Sequence, residues 1–290
     1  MMCVLSTGRG RAEIWQGLLA RRTYGVSRSR MVIDHTLNGA PMGAEISPGP
    51  AQFTLSLTAA NAVDRVEFLK DNILEKMIVH SGTWERQPLP GRFAFKFEVE
   101  FGWGPETRLF PDAALKVWEG SLQVPGHLMG VEKLWNSFGQ QILEWRDDRC
   151  DFRLTTHRGT ETGKWMGPSQ VRRESLVFEV EGGIDDVLTL TVDGEQYALP
   201  VRMLLQGTRI YAQYSQCERR IIKKFGPTPH YRDDFIWHCA FKFRVRRAVP
   251  SPAYTLNESF TTTLDAGSQY RLRVWLKNGD AAWTSPIFCR

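Results

Sequence analysis

Apolar and polar residues alternate along much of the chain, which is the pattern of β-strands. The cleanest alternation lies in residues 92–101, where the apolar and the charged side chains would occupy opposite faces of a strand. These residues are Phe93, Phe95, Phe97, Val99 and Phe101 on one face and Arg92, Lys96, Glu98 and Glu100 on the other. The pattern predicts a strand with one face in a core and the other in water.

Segments of the same kind recur on both sides of that strand. They predict strands at 51–59, 62–69, 73–79, 115–124, 174–181, 186–192, 195–199, 208–215, 235–249, 270–277 and 281–288. Asp193-Gly194 and Asn278-Gly279 are typical of hairpin turns. Residues 130–146 mix helical and strand features, and residues 200–207 favour a short helix. A mainly β fold of one or two antiparallel β-sandwiches follows.

A short amphipathic helix is predicted ahead of these strands, at residues 11–22. Its apolar residues form a single stripe, made of Ile14, Trp15, Leu18 and Leu19. Gly25 is expected to supply the positive φ that ends many helices, and the first strand is expected to begin at Met31. From the pattern alone, the simplest interpretation is an N-terminal helix packed on the chain's own sheet.

Composition indicates a soluble globular protein. The 290 residues are 42% hydrophobic and 24% charged, and no apolar run approaches the roughly 20 residues of a membrane span. The beginning, MMCVLSTGRG, lacks the basic and apolar regions of a signal peptide. The default expectation is a cytoplasmic protein with no membrane partner. Export of a longer precursor stays open as an alternative.

The residue types that carry metal or nucleophilic chemistry do not form a recognisable site. The five cysteines are scattered without a CxxC pair, so buried free thiols are expected. No two of the six histidines form an HxH pair or share the face of one helix. Neither a G-x-S-x-G elbow, a P-loop nor a dinucleotide fingerprint occurs. We therefore predict no catalytic residue, no metal site and no cofactor in this chain.

Positive charge is concentrated in residues 216–247. This segment has nine Lys and Arg residues against three acidic ones, or +6, while the whole chain carries +5. The favoured interpretation is a solvated strand face. The alternative is an anion-binding surface centred on Lys242, Arg244 and Arg246. Nucleic acid is disfavoured, because the aromatic residues of 235–249 would face away from the basic ones.

Two stretches carry a family resemblance. The first is RAEIWQGLLARRTYGVSRSRMVIDHTLNGAPMG at residues 11–43, and the second comprises RVRRAVPSPAY and YRLRVWLKNGDAAWTSPIF near the end. Together they resemble the C-terminal β-rich region of polymerase-and-histidinol-phosphatase (PHP) type metal-dependent hydrolases. Residues 125–230 match least well. Val26-Ser27-Arg28-Ser29 also departs from the small turn that relatives have there.

The resemblance implies that catalysis belongs to one part of a hydrolase and that this chain corresponds to another part. In relatives the metal ligands lie in a barrel upstream of residues 11–43, so residues 1–44 would be the join and 45–290 the β-rich region. The chain would then be a non-catalytic C-terminal part or subunit, docked through Ile14, Trp15, Leu18 and Leu19. Its partner would be a separate PHP barrel chain or a second copy. The alternatives are an autonomous module binding an anionic partner through Lys242, Arg244 and Arg246, and a hydrolase with an unrecognised site. The substrate is not indicated.

Overall fold

The computed structural model describes residues 1–84, 88–134, 139–158, 171–227 and 234–290. The chain folds into two compact units. Unit 1 is built from Met1–Leu89 together with Val249–Arg290, and unit 2 from Pro90–Ala248.

Unit 1 takes its first elements from the N-terminal segment. In order they are β1 (Met2–Val4), α1 (Arg11–Leu19), β2 (Thr23–Val26), β3 (Met31–Leu37), β4 (Ala40–Pro41), β5 (Glu45–Ile46), β6 (Gly49–Ala59), β7 (Val63–Lys70) and β8 (Ile73–Val79).

Unit 2 follows with strands and three short helices. They are β9 (Arg92–Trp103), β10 (Leu115–Gln123), β11 (His127–Lys133), β12 (Gln141–Trp145), β13 (Arg149–Arg158), β14 (Val171–Arg172), β15 (Glu174–Gly183), β16 (Val187–Val192), β17 (Glu195–Pro200), α2 (Val201–Gln206), β18 (Arg209–Ala212), α3 (Tyr214–Phe225), α4 (Asp234–Cys239) and β19 (Lys242–Val245). A 3₁₀ turn lies at Pro111–Ala113.

The chain then returns to unit 1. Its last elements are β20 (Val249–Pro250), α5 (Ser251–Tyr254), β21 (Thr255–Leu264), β22 (Gln269–Leu276), β23 (Ala281–Thr284) and β24 (Ile287–Cys289). None of the described helices is long and apolar enough to cross a membrane.

Unit 1 is a β-sandwich. One sheet has the order β1-β2-β23-β22-β24-β5, with β7 and β8 continuing from β22, and the other has the order β21-β6-β3-β4. The pairings are antiparallel apart from β24 with β5. Phe53 of β6 meets Phe68 of β7 with ring centroids 5.2 Å apart, so the inner faces of the two sheets share one apolar core.

Unit 2 is a second antiparallel sandwich. Its sheets have the orders β12-β13-β10-β16-β17, with β14 on β13, and β11-β15-β9-β19-β18. Phe101 of β9 packs on Trp118 of β10 at 5.2 Å, and Phe152 of β13 on Phe178 of β15 at 6.0 Å. The predicted mainly β fold of antiparallel sandwiches with a short helix is therefore confirmed.

The predicted turns are present, but the helix ends differently. Asp193 and Gly194 have positive φ of 50° and 84° between β16 and β17, and Gly279 has φ of 87° between the paired strands β22 and β23. Gly25, by contrast, lies inside β2. Arg21, with φ 58°, provides the left-handed residue after α1, and β1 and β2 form strands before Met31.

Residues 208–249 depart most from the sequence prediction. The strand predicted at 208–215 ends at Ala212, and α3, which was not predicted, begins at Tyr214. The long strand predicted at 235–249 is wrong, since α4 occupies its first part and β19 covers only four residues. Short apolar segments fit both periods, so alternation could not distinguish a six-residue helix from a strand. In 130–146, β11 and β12 are strands, and residues 135–138 lie outside the described ranges.

Candidate functional site

Helix α1 presents most of its predicted apolar stripe to solvent. Trp15 is 58% exposed, Leu19 61% and Ile14 39%, whereas Leu18 is half-buried. Gly17 is the one buried residue of the helix. The helix therefore rests on unit 1 by its glycine side and exposes its large side chains on the other.

The contact beneath Gly17 explains this orientation. A Cβ added to Gly17 would lie 2.7 Å from Val4 Cγ1 and 2.8 Å from the carbonyl oxygen of Leu5. The absence of a side chain thus lets the helix backbone approach β1 closely. The Leu5 amide also donates to the carbonyl of Arg22 at 2.9 Å, which connects the chain before the helix to the chain after it.

Arg21 fixes the C-terminal end of α1. Its Nε donates to the carbonyl of Gly43 at 3.1 Å, and its Nη2 pairs with Glu45 Oε1 at 3.2 Å. Its guanidinium also lies 4.9 Å from the ring centre of Phe288. These contacts position α1 on the sandwich while leaving Trp15 and Leu19 uncovered.

Lys242, Arg244 and Arg246, which were predicted to lie on a solvated strand face, instead bond to other groups of the protein. Arg244 Nε donates to Glu100 Oε2 at 3.1 Å, and Arg246 Nη2 donates to the same oxygen at 2.9 Å. Arg246 Nε also lies 3.3 Å from Glu98 Oε2. Lys242 donates to the carbonyl of Trp237, and burial lowers the pKa of its ammonium.

The outer face of β9 is correspondingly buried, contrary to the prediction that it faces water. Lys96, Glu98 and Glu100 are each less than 5% exposed. Burial alone would raise the pKa of Glu100, but the hydrogen bond from Arg244 and the charges of Arg246, Arg244 and Arg173 outweigh it and lower that pKa. The sequence pattern missed this because the counter-ions come from strands distant in the chain, Arg244 and Arg246 for the two glutamates and Glu132 and Glu179 for Lys96.

Trp103 completes this ionic cluster. The guanidinium of Arg173 lies 4.9 Å from its ring centre and that of Arg244 5.1 Å. The structure thus brings Arg244 and Arg246 together around Glu100, whereas Lys242 belongs to a separate contact with α4. The positive charges of Arg244 and Arg246 are therefore offset by carboxylates of β9, the neighbouring strand.

The histidines are dispersed. His35 lies fully buried on β3, where burial lowers its pKa to about 4. His80 Nε2 is 2.7 Å from the carbonyl of Pro252, and exposed His127 is 3.6 Å from Asp147. His230 lies outside the described residues. Among the described residues, no group of three or more His, Cys, Asp or Glu is placed to hold a metal ion.

The described fold and surfaces define a mainly β chain of two sandwiches with an exposed apolar helix face. Comparison of the chain with protein-family models, with curated proteins and with solved structures found no significant match in any of the three.

Proposed function

We propose that this chain is a non-catalytic, β-rich part or subunit of a hydrolase-like assembly, and that α1 is the element through which it binds the subunit that carries the chemistry. The observation that carries this proposal is the solvent exposure of Ile14, Trp15 and Leu19 on one helix.

The exposed apolar side chains of α1 would gain free energy on burial. Full burial of a large apolar side chain is worth about 1.5–3 kcal/mol, which these residues forgo while they face water. Contiguous apolar patches of this kind often mark protein interfaces, and tryptophan is enriched among residues that dominate binding energy. The face is also held in place by Gly17 and Arg21, so binding would require little further ordering of the helix.

The proposed partner is a chain bearing a PHP-type metal-dependent barrel. Support comes from the resemblance of residues 11–43 to the join between barrel and β-rich region. In that arrangement the helix corresponding to α1 would lie against the barrel. The metal ions, the general acid–base groups and the substrate specificity would then belong to the partner.

Site-specific cross-linking in the source cells tests this proposal. A photoreactive amino acid replaces Leu19, and the cross-linked peptides are sequenced. The matched control carries the same group at Lys223, an exposed position on α3. Cross-links from position 19 to a chain containing a PHP-type barrel support the proposal. Cross-links to a second copy of this chain, or only those also seen from position 223, overturn it.

The anion-binding alternative receives less support from the geometry. Arg244 and Arg246 already donate to Glu100, and Lys242 donates to a backbone carbonyl. An anionic partner would have to compete with these contacts. We therefore keep the α1 docking role as the main proposal.

A further inference from the structure

Strand β8 forms a free edge of the larger sheet of unit 1. Among the described residues it pairs only with β7, and it lies on the opposite side of that sheet from β1, the strand against which α1 rests. Ile73 is 74% exposed and Val79 56%, and Leu74 and Met77 also face solvent. The exposed edges of natural sheets usually carry charges or proline, which prevent pairing with another chain. Strand β8 instead has five apolar residues among its seven.

The backbone groups of β8 alternate between β7 and the free edge. In antiparallel strands, directly opposed residues exchange hydrogen bonds only at every second pair. The His80 amide donates to the Asp64 carbonyl at 2.9 Å, so the even-numbered residues from 76 to 80 are the ones that bond to β7. The amides and carbonyls of Met77 and Val79 therefore point away from β7, to a side where no described strand lies.

The side chains of the same two residues lie on the outer face of the sheet. Ile78 packs against the core of unit 1, so Met77 and Val79 on either side of it point outward. Lys76 lies on the core side, and its Nζ is 4.0 Å from the ring centre of Phe260 on β21. The one cation of β8 is thus directed toward the other sheet of the sandwich. Residues 76–79 therefore combine unpaired backbone groups with exposed apolar side chains.

We infer that residues 76–79 of β8 pair antiparallel with the same segment of a second copy of this chain. This inference goes beyond the proposed role of α1 and does not rest on it. A two-fold axis perpendicular to the sheet places Met77 opposite Met77 of the other copy, as a hydrogen-bonded pair. The two apolar side chains then meet on the outer face, where both are now exposed.

The charges of β8 favour this register. Pairing centred on Lys76 would place two ammonium groups directly opposite each other, and pairing centred on Glu75 would do the same with two carboxylates. Like charges directly opposed across strands are destabilising. Pairing centred on Met77 avoids both contacts, because Lys76 then lies opposite Ile78 of the other copy. The edge is therefore complementary to itself.

The pairing leaves α1 accessible on each copy. In the larger sheet, β2, β23, β22 and β7 separate β1 from β8. A dimer formed through β8 therefore has one α1 face at each end of the joined sheet and could bind two partner chains. A photoreactive group at Leu19 should not cross-link to the second copy.

Sedimentation velocity of the full chain measures the association. The wild-type chain should form dimers in a concentration-dependent manner below about 0.1 mM. Met77→Pro removes the amide hydrogen at the free edge and leaves the hydrogen bonds to β7 in place. By symmetry it removes two hydrogen bonds from the dimer, so it should weaken dimerisation at least about ten-fold. Val32→Lys, which replaces an exposed apolar residue of β3 in the other sheet, is the control and should leave dimerisation unchanged.

Opposite charges at position 77 test the symmetric register. Met77→Lys and Met77→Glu should each be monomeric, because each introduced group would oppose the same group of the other copy. An equimolar mixture of the two variants should dimerise at least about five-fold more tightly than either variant alone, since unlike charges are then opposed. This difference should shrink between about 0.1 M and about 1 M salt.

The outcomes distinguish the inference from other kinds of association and from the proposed function. A wild-type chain that stays monomeric at about 0.1 mM overturns the inference. A dimer that persists unchanged in Met77→Pro and Met77→Lys also overturns it. Urea unfolding checks the stability of the proline variant, and if that variant is destabilised, the mixture of lysine and glutamate variants decides. Cross-linking from Leu19 that finds no barrel chain overturns the proposed function, yet it leaves the β8 result standing.

Discussion

At the scale of single residues, ionised side chains are buried on the outer faces of sheets in both units. In unit 2, Glu100 accepts hydrogen bonds from Arg244 and Arg246, and Arg244 also stacks on Trp103. In unit 1, Glu67 accepts from Arg65 at 2.9 Å and from Arg273, and both guanidiniums lie over Trp275. Each carboxylate is thus stabilised by at least one guanidinium that also lies against an aromatic ring.

Arg246→Met should destabilise the protein by about 2–3 kcal/mol, because Glu98 and Glu100 stay buried while one of their guanidinium partners is lost. Chemical denaturation monitored by tryptophan fluorescence measures the change. Arg92→Met is the matched control. Arg92 is exposed and begins β9, the strand that carries Glu98 and Glu100, and its replacement should change stability by less than about 0.5 kcal/mol. Adding Glu100→Gln to Arg246→Met should recover part of the loss. Equal effects of the two arginine variants would contradict this assignment.

His35 should make the stability of unit 1 sensitive to acid. Its pKa of about 4 in the fold lies below the ordinary 6.5, so the unfolded chain binds a proton more readily than the folded one. The stability contributed by the neutral ring is fully present above pH 6.5 and is lost as the pH falls toward 4. The difference corresponds to roughly 3 kcal/mol at 1.36 kcal/mol per pH unit.

Urea unfolding at pH 7.5 and pH 5 measures this dependence. His35→Leu should reduce the loss of stability between the two pH values. Neither ring nitrogen of His35 has a hydrogen-bond partner among the described residues, so an apolar side chain should be tolerated there. An identical pH dependence in wild type and His35→Leu would show that the ring does not titrate as argued.

At the scale of elements, α1 depends on the glycine beneath it. Gly17→Val should lift the helix from β1, because its side chain would meet Val4 and the Leu5 carbonyl. Hydrogen exchange should show faster exchange of the amides of residues 14–19, with strands β3 and β6 unchanged. Gln16→Val, on the exposed side of the same helix, is the control for β-branched propensity. Retained protection in Gly17→Val would mean that the close approach is not what holds the helix.

The sequence patterns predicted where strands and helices lie better than they predicted which side chains are buried. Strand β9 and the helix α1 follow from periodicity, because their local spacing alone determines which residues share a face. The burial of Glu98 and Glu100 does not follow from it, since their partners Arg244 and Arg246 lie almost 150 residues away along the chain. The buried Lys96 pairs with Glu132 and Glu179, which are also distant in the sequence. Helix α3 was not predicted, although its buried Cys217 and Ile221 lie four residues apart, which is a helical spacing.

At the scale of the whole molecule, we expect the isolated chain to lack hydrolytic activity of its own. Purified protein should bind Zn²⁺, Mn²⁺ or Fe²⁺ only substoichiometrically and should not hydrolyse phosphoesters, because the histidines that the structure describes lie on separate elements. Elemental analysis and a phosphatase assay, before and after treatment with a chelator, measure both properties. A stoichiometric metal whose removal abolishes activity would show that the chain contains a catalytic site.

The order in which the two units are completed during synthesis follows from the path of the chain. Unit 1 needs β21 to β24, which come from residues after unit 2. At about 5–20 residues per second, the ribosome needs roughly 8–30 seconds to make unit 2. During that time the sheet that contains β3 and β6 lacks its last strand, β21, while unit 2 can already fold. Unit 1 is therefore the part of the nascent chain that should rely most on chaperones.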